Sequence, residues 1–207
     1  FAENQVLEFL AKEAGLPDGA GGVFVQGGTL GNLSALVVAR DVAERKHGHK
    51  TWAIICSSEA HSSIKAVAKV MGVEVVKADA AVTGSLRGQQ AKQAVHQAIE
   101  NGLTPFAIVG TGGTTNFGII DQLGDLALVA KEFDLWFHVD GAYGLAGMLV
   151  EELKPKYAGL ELADSFIVDP HKWLFSPFDA CALVYREPKL AKTAHIQHGE
   201  YLETLNQ

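Results

Sequence analysis

The sequence predicts an α/β fold, a mostly parallel sheet with helices on both faces. Two observations carry that prediction. Short apolar runs without inner Pro or Gly recur along the chain, and segments with helical spacing lie between most of them. A third observation adds function: glycine makes up 22 of 207 residues, above the usual ~7%, and gathers at the strand-to-helix junctions, where loops approach a ligand.

The elements follow in order. Ala2–Lys12 has helical spacing and carries Val6, Leu7, Phe9 and Leu10. The apolar Val23-Phe24-Val25 leads through a glycine loop into a helix over Asn32–Lys46. Trp52–Cys56, Val73–Val76, Phe106–Val109, Leu135–Val139, Phe166–Val168 and Cys181–Tyr185 favour β-branched and aromatic residues, as strands buried on both faces do. Ser62–Met71, Leu86–Asn101 and Leu123–Phe133 are the intervening helices, and Leu190–Asn206 is a helical pattern still running at the end. The chain opens on Phe1 and is expected to be a segment of a longer protein.

Composition removes several function classes. The formal charge is −7, from 17 Lys plus Arg against 24 Asp plus Glu, without a block of like charges, which argues against a nucleic-acid partner. No apolar run approaches the ~18 residues of a membrane span. The two cysteines, Cys56 and Cys181, each lie in a predicted buried strand. That placement argues against a disulfide framework or a zinc site and for a reducing compartment, the cytoplasm.

In a parallel sheet ligands bind beyond the carboxyl ends of the strands, so the residues just after each strand are the informative ones. Gln26-Gly27-Gly28-Thr29-Leu30-Gly31-Asn32 precedes a helix start, whose free N–H groups and positive dipole end favour a phosphate. It matches neither the Walker loop nor the dinucleotide fingerprint, and a plain turn is the alternative. His61, ahead of the helix from Ser62, can stack on an aromatic ligand or move a proton, or simply start the helix. Gly110-Thr111-Gly112-Gly113-Thr114-Thr115 offers hydroxyls and amides to an oxygen-rich ligand. Asp140 closes an apolar strand, where an ionised carboxylate needs a cationic or N–H partner; capping of the next segment is the alternative. With His138 and either His171 or His195 it also mimics a two-histidine, one-carboxylate iron site, but no further ligand cluster supports a metal. Asp169-Pro170-His171-Lys172-Trp173 places a lysine just after a buried strand, where desolvation frees its amine for Schiff-base formation.

An anion cradle, an aromatic stacking partner, an acid for a ring nitrogen and a Schiff-base lysine converge on one cofactor, pyridoxal 5'-phosphate. The sequence resembles the group II pyridoxal-phosphate-dependent amino acid decarboxylases, relatives of the aromatic-L-amino-acid and glutamate decarboxylases. The resemblance runs from the glycine loop to the end, with its motifs in family order. It implies the large domain of fold type I over residues 1–207, with an N-terminal part and a C-terminal small domain elsewhere in the protein. It assigns Gly28 and Thr29 to the cofactor phosphate, His61 to stacking on the ring, Thr115 to its edge, Asp140 to the ring nitrogen and Ala142 to packing against the ring. His171 and Lys172 match the His-Lys pair whose lysine carries the cofactor, while Asp169 stands where several relatives have Asn near the phosphate. The implied reaction is decarboxylation of an L-amino acid to the amine and CO2, with Lys172, His61 and Asp140 catalytic. A homodimer with the site at its interface is implied as well. The rival readings are a lyase cleaving a carbon–carbon bond of a phosphorylated amino alcohol, and a non-catalytic cofactor-binding module.

Overall fold

Alternation along each central strand decides which layer a side chain joins. Ile55, Ile108, Phe137, Val139, Phe166, Val168, Ala182 and Val184 enter one core, and Ile54, Cys56, Ala107, Val109, Trp136, Ile167, Cys181 and Leu183 enter the other. The computed structural model describes residues 1–196. Its strands are β1 (Gly21–Val25), β2 (Trp52–Ser57), β3 (Glu74–Ala78), β4 (Thr104–Thr111), β5 (Trp136–Asp140), β6 (Ser165–Val168) and β7 (Cys181–Tyr185). They form one sheet in the order β1-β7-β6-β5-β4-β2-β3. The run from β6 to β3 is parallel, and β7 lies antiparallel to both β6 and β1. The predicted mostly parallel sheet is therefore present, with its antiparallel part where the chain turns back after β6.

Helices α1 (Ala2–Glu13), α4 (Gly88–Glu100) and α5 (Leu123–Glu132) supply the first core. Helices α2 (Gly28–His47), α3 (Ser62–Met71) and α6 (Pro188–Ala194) supply the second. Three short 3-10 turns, at Leu145–Leu149, Lys154–Tyr157 and Leu160–Leu162, fill the β5-to-β6 crossover, a stretch whose irregular spacing gave no helical signal.

The structure departs from the sequence reading in three places. Helix α2 starts at Gly28, four residues before the apolar periodicity begins at Asn32, because Gly27 takes the N-cap with a φ of 85° and lets β1 turn directly into the helix. Strand β3 is not buried on both faces: as the sheet edge it leaves Glu74 and Lys77 exposed. Helix α6 ends at Ala194 with His195 as its C-cap, so the pattern expected to Asn206 stops early; residues 197–206 of it lie outside the described residues.

Helix α2 crosses the sheet at close range. A Cβ on Gly31 would lie 2.8 Å from Cys181 Sγ and 2.9 Å from Ile167 Cγ2. Helix propensity alone favours Gly31→Ala by ~1 kcal/mol. Overpacking is expected to win and destabilise the full-length protein by ~1–3 kcal/mol, read from its urea midpoint. Cys56 and Cys181 are both free and buried, and burial pushes the Cys56 thiol up to about 12. No helix among the described residues is long and apolar enough to cross a membrane.

Candidate active site

The carboxyl ends of β4, β5 and β6 and the first turn of α2 enclose a cavity of about 300 Å³. Gly28, Thr29, His61, Thr115, Asp140, Ala142, Asp169, His171 and Lys172, the nine residues singled out in the sequence, all line it. Their positions follow from the sheet. Asp140 is the last residue of β5, Asp169 directly follows Val168 at the end of β6, and Lys172 lies three residues further on.

Asp140 is 6% exposed. Its Oδ1 accepts from the Ala142 N–H at 3.2 Å and its Oδ2 from Asn32 Nδ2 at 2.9 Å. Burial raises its pKa, while those two hydrogen bonds and the charges of His61 and Lys172 pull it back. The carboxylate thus does cap the next segment, and it also faces the cations of the site. His61 likewise combines two roles: it is the N-cap of α3, where its Nδ1 accepts from the Ser63 N–H at 3.2 Å. In the neutral ring this places the proton on Nε2.

Lys172 Nζ lies 2.9 Å from Asp169 Oδ2, and Asp169 is 1% exposed. The other carboxylate oxygen, Asp169 Oδ1, has no hydrogen-bond partner among the described residues, nor does Thr111 Oγ1, which also lines the cavity. Gly28 opens α2 beside them: a Cβ there would come within 3.0 Å of Ala142 Cβ and 3.1 Å of Asp169 Oδ2. Gly113 lets the threonine loop approach β5 in the same way, with a φ of 118° and a would-be Cβ 2.7 Å from Gly144 Cα. His171 presents Nδ1 to the backbone of Ala180 and packs edge-on against Phe178, so its ring holds the return loop to β7.

Several lining residues carried no signal that composition or spacing could have raised. Asn32 is one turn into α2 and reads as an ordinary helical residue, and Ser63 reads as part of the α3 start; packing brings the Asn32 amide to Asp140 and the Ser63 hydroxyl to Asn32. Tyr143, Phe178 and Asp179 reach the cavity from loops whose course is set by tertiary contacts.

Among the described residues no group of three or more His, Cys, Asp or Glu is arranged for a metal ion. His138, the nominal partner of Asp140 in an iron-type set, has both ring nitrogens engaged, Nδ1 with Ser165 Oγ at 2.8 Å and Nε2 with Asn32 Oδ1 at 2.9 Å. Burial pushes the pKa of this imidazole down from 6.5 to about 3. The unfolded chain therefore binds the extra proton between those values and the folded one does not, so the stabilisation is intact above pH 6.5 and is lost as pH falls toward 3. We expect His138→Gln to remove this component: the wild-type minus variant difference in urea midpoint should shrink as the solution is acidified through that window.

Comparison with known proteins places this geometry. The model of the pyridoxal-dependent decarboxylase conserved domain matches residues 2–207. An aromatic-L-amino-acid decarboxylase of Bacillus atrophaeus is 33% identical over 205 residues, covering 97% of this chain and 42% of that protein. The glutamate decarboxylase domain of a diaminobutyrate-pyruvate transaminase and L-2,4-diaminobutyrate decarboxylase from Vibrio parahaemolyticus superposes with a TM-score of 0.86 at 35% identity, over 92% of this chain and 44% of that one. Oryza sativa TDC, solved with PLP and tryptamine, superposes with a TM-score of 0.90 at 27% identity, over 97% of this chain and 44% of that one. The chain spans about two-fifths to one-half of the length of the curated relatives it matches.

Proposed function

The chain belongs to the pyridoxal-dependent decarboxylase family, and from that premise we propose that residues 1–207 are the cofactor-binding large domain of an amino acid decarboxylase. The reaction removes the α-carboxylate of an L-amino acid as CO2 and puts a proton in its place, leaving the amine. One observation carries the reading: Asp140 and Lys172, from the ends of adjacent parallel strands, line one cavity together with His61.

The residues present fit pyridoxal 5'-phosphate. The first turn of α2 offers free N–H groups at Gly28 and Thr29, and Gly28 keeps that corner clear of a side chain. Thr111 Oγ1 is a buried polar atom still in need of a partner. When bound, the cofactor supplies a conjugated ring that takes up the electron pair left by the departing CO2. Everything else belongs to the protein. Gly28 and Thr29 would hold the phosphate, Thr115 and His171 would flank the cofactor, and Ala142 would leave room for the ring. Lys172 would contribute the amine that anchors the aldehyde. Asp140, on a water-poor floor, would hold a proton at the ring nitrogen. His61 would stack on the ring, fixed in place by the hydrogen bond its Nδ1 accepts from the Ser63 N–H.

The amino acid substrate class is left to a test. Full-length protein supplied with pyridoxal phosphate and a panel of aromatic, acidic and aliphatic L-amino acids should release CO2 and amine in equal amounts. Cofactor uptake with no product would favour the non-catalytic module, and aldehyde from a phosphorylated amino alcohol would favour the rival lyase.

We also propose a cytoplasmic homodimer. Two free buried cysteines suit a reducing compartment. Phe175 and Phe178, 91% and 83% exposed on the loop that follows Lys172, form an apolar surface beside the cavity that a second subunit would cover. Phe175→Asp is expected to shift the full-length protein toward monomer in light scattering.

Asp169 raises an electrostatic question of its own. A cofactor phosphate at the start of α2 would bring a like charge close to the buried Asp169 carboxylate, whose cation partner Lys172 would then be engaged with the aldehyde. Asp169→Asn removes that like charge and is expected to tighten binding of pyridoxal phosphate by about tenfold. Binding of pyridoxal, which lacks the phosphate, should change little by comparison.

A further inference from the structure

A chain of buried polar side chains runs beneath the cavity floor and ends on Asp140. Trp136, His138 and Asp140 alternate along β5 and so share the face that α2 covers. Trp136 Nε1 donates to Ser165 Oγ at 2.8 Å, Ser165 Oγ meets His138 Nδ1 at 2.8 Å, His138 Nε2 meets Asn32 Oδ1 at 2.9 Å, and Asn32 Nδ2 donates to Asp140 Oδ2 at 2.9 Å. Register makes this possible, since His138 and Ser165 are direct partners across β5 and β6. Ser165 and His138 are fully buried and Asn32 is 1% exposed, so no member can turn to water instead.

The donor and acceptor roles follow from the far end. Asn32 Nδ2 donates to Asp140 Oδ2 and spends its second hydrogen on Ser63 Oγ at 3.0 Å, the orientation that a carboxylate, which only accepts, requires. Asn32 Oδ1 must then accept a hydrogen bond from the His138 Nε2–H. A second proton on His138 would be a cation buried without a carboxylate in contact, so the ring is neutral and its Nδ1 accepts from the Ser165 hydroxyl. Ser165 in turn accepts from Trp136, which can only donate. Each hydrogen bond that links Trp136, Ser165, His138, Asn32 and Asp140 is thus donated in the direction of Asp140, and the second Asn32 N–H branches off to Ser63.

We propose that Trp136, Ser165, His138 and Asn32 form a one-way hydrogen-bond relay that orients Asp140 and keeps it ionised, with His138 as its central positioning residue. Such chains polarise one another, and the aligned donors offset part of the cost of burying the carboxylate. The relay also explains a pattern that resembles a metal set in sequence: His138 stands two residues before Asp140 because alternate residues share one face of β5, and it acts on the carboxylate through Asn32. This inference deepens the decarboxylase reading and rests on it for the use made of Asp140.

The test has two arms, both on the full-length protein. In cofactor-free protein labelled with [15N]histidine, the ring signals lost in His138→Gln identify His138. Between about pH 5 and pH 8 they should report a neutral ring protonated on Nε2 throughout. An imidazolium, or a ring protonated on Nδ1, would overturn the relay. In the second arm, pyridoxal phosphate is titrated by absorbance into wild type, Ser165→Ala, His138→Phe and His138→Gln. Breaking the chain should weaken binding about tenfold in the first two variants, from a buried partner left unsatisfied. His138→Gln should recover most of that loss, because its amide accepts at one end and donates at the other. Equal affinities in all four, with folding intact by circular dichroism, would reduce the chain to packing and sink the proposal. Should His138→Phe fail to fold, Ser165→Ala, which removes only an oxygen, still decides. A wild type that takes up no pyridoxal phosphate would overturn the cofactor reading instead, while the histidine spectra would still decide the direction of the relay.

Discussion

Lys172→Ala is expected to abolish covalent capture of pyridoxal phosphate and to lower decarboxylation on the order of 10³-fold or more. In the proposed reaction the lysine amine would anchor the aldehyde and take the cofactor back after each turnover, freeing the product amine, and the loss of a positioned group that moves protons alone costs ~10²–10⁴-fold. The structure supplies the particular reason. Lys172 Nζ is held 2.9 Å from Asp169 Oδ2 on a short segment leaving β6, and among the described residues no other lysine lines the cavity. Borohydride treatment of loaded wild type should fix a pyridoxyl group on the peptide carrying Lys172, found by mass mapping. A pyridoxyl group on another lysine, or a variant with wild-type turnover, would remove Lys172 from the anchoring role. Because Asp169 would be left without its cation in this variant, Lys172→Ala,Asp169→Asn is the control for stability: it should regain thermal stability without regaining activity.

Asp140→Asn is the second large effect. It keeps the size of the side chain but gives up the charge proposed to hold a proton at the ring nitrogen, and a fall in kcat of ~10²–10³-fold is expected, the size associated with loss of one preorganised electrostatic contact. The KM for substrate should change less than kcat, since Asp140 lies on the floor and acts on the developing charge. The variant should remain folded, because an Asn oxygen can still accept from Asn32 Nδ2, as Asp140 does at 2.9 Å. The measurement is steady-state kinetics alongside the cofactor absorbance spectrum. Wild-type kcat in a folded, loaded variant would count against the assignment.

Much of the architecture was legible in the chain because its central strands are so strongly apolar. Trp52–Cys56 and Cys181–Tyr185 read as buried strands and are buried strands in the structure, with every residue of β2 and β7 inside. Helix α3 begins and ends where its spacing predicts, at Ser62 and Met71. The boundaries that differ have local causes. Glycines hide a helix start at Gly28 because they carry no periodicity, and the edge position of β3 depends on strand order, which no local pattern encodes. The stretches that line the cavity could be nominated from their place just after strands or at helix starts, since in a parallel sheet those ends gather on one side, whereas Ala142, Thr115 and Asp169 were singled out within them by the family resemblance.

By itself the sequence determined the alternation of strands and helices, the side of the sheet on which the chemistry lies, and the residue types available there, because hydrophobic period and strand-end position are local properties. Only the tertiary structure decided that Asn32 turns its amide to Asp140 across 108 residues of chain, that His138 is a neutral link rather than a metal ligand, and that Asp169 pairs with Lys172. Those facts depend on which faces meet when α2 is laid across β5 and β6, and on the register between these two strands. A buried polar group must find its partner wherever the packing brings one, and the sequence separation of the two carries no trace of it.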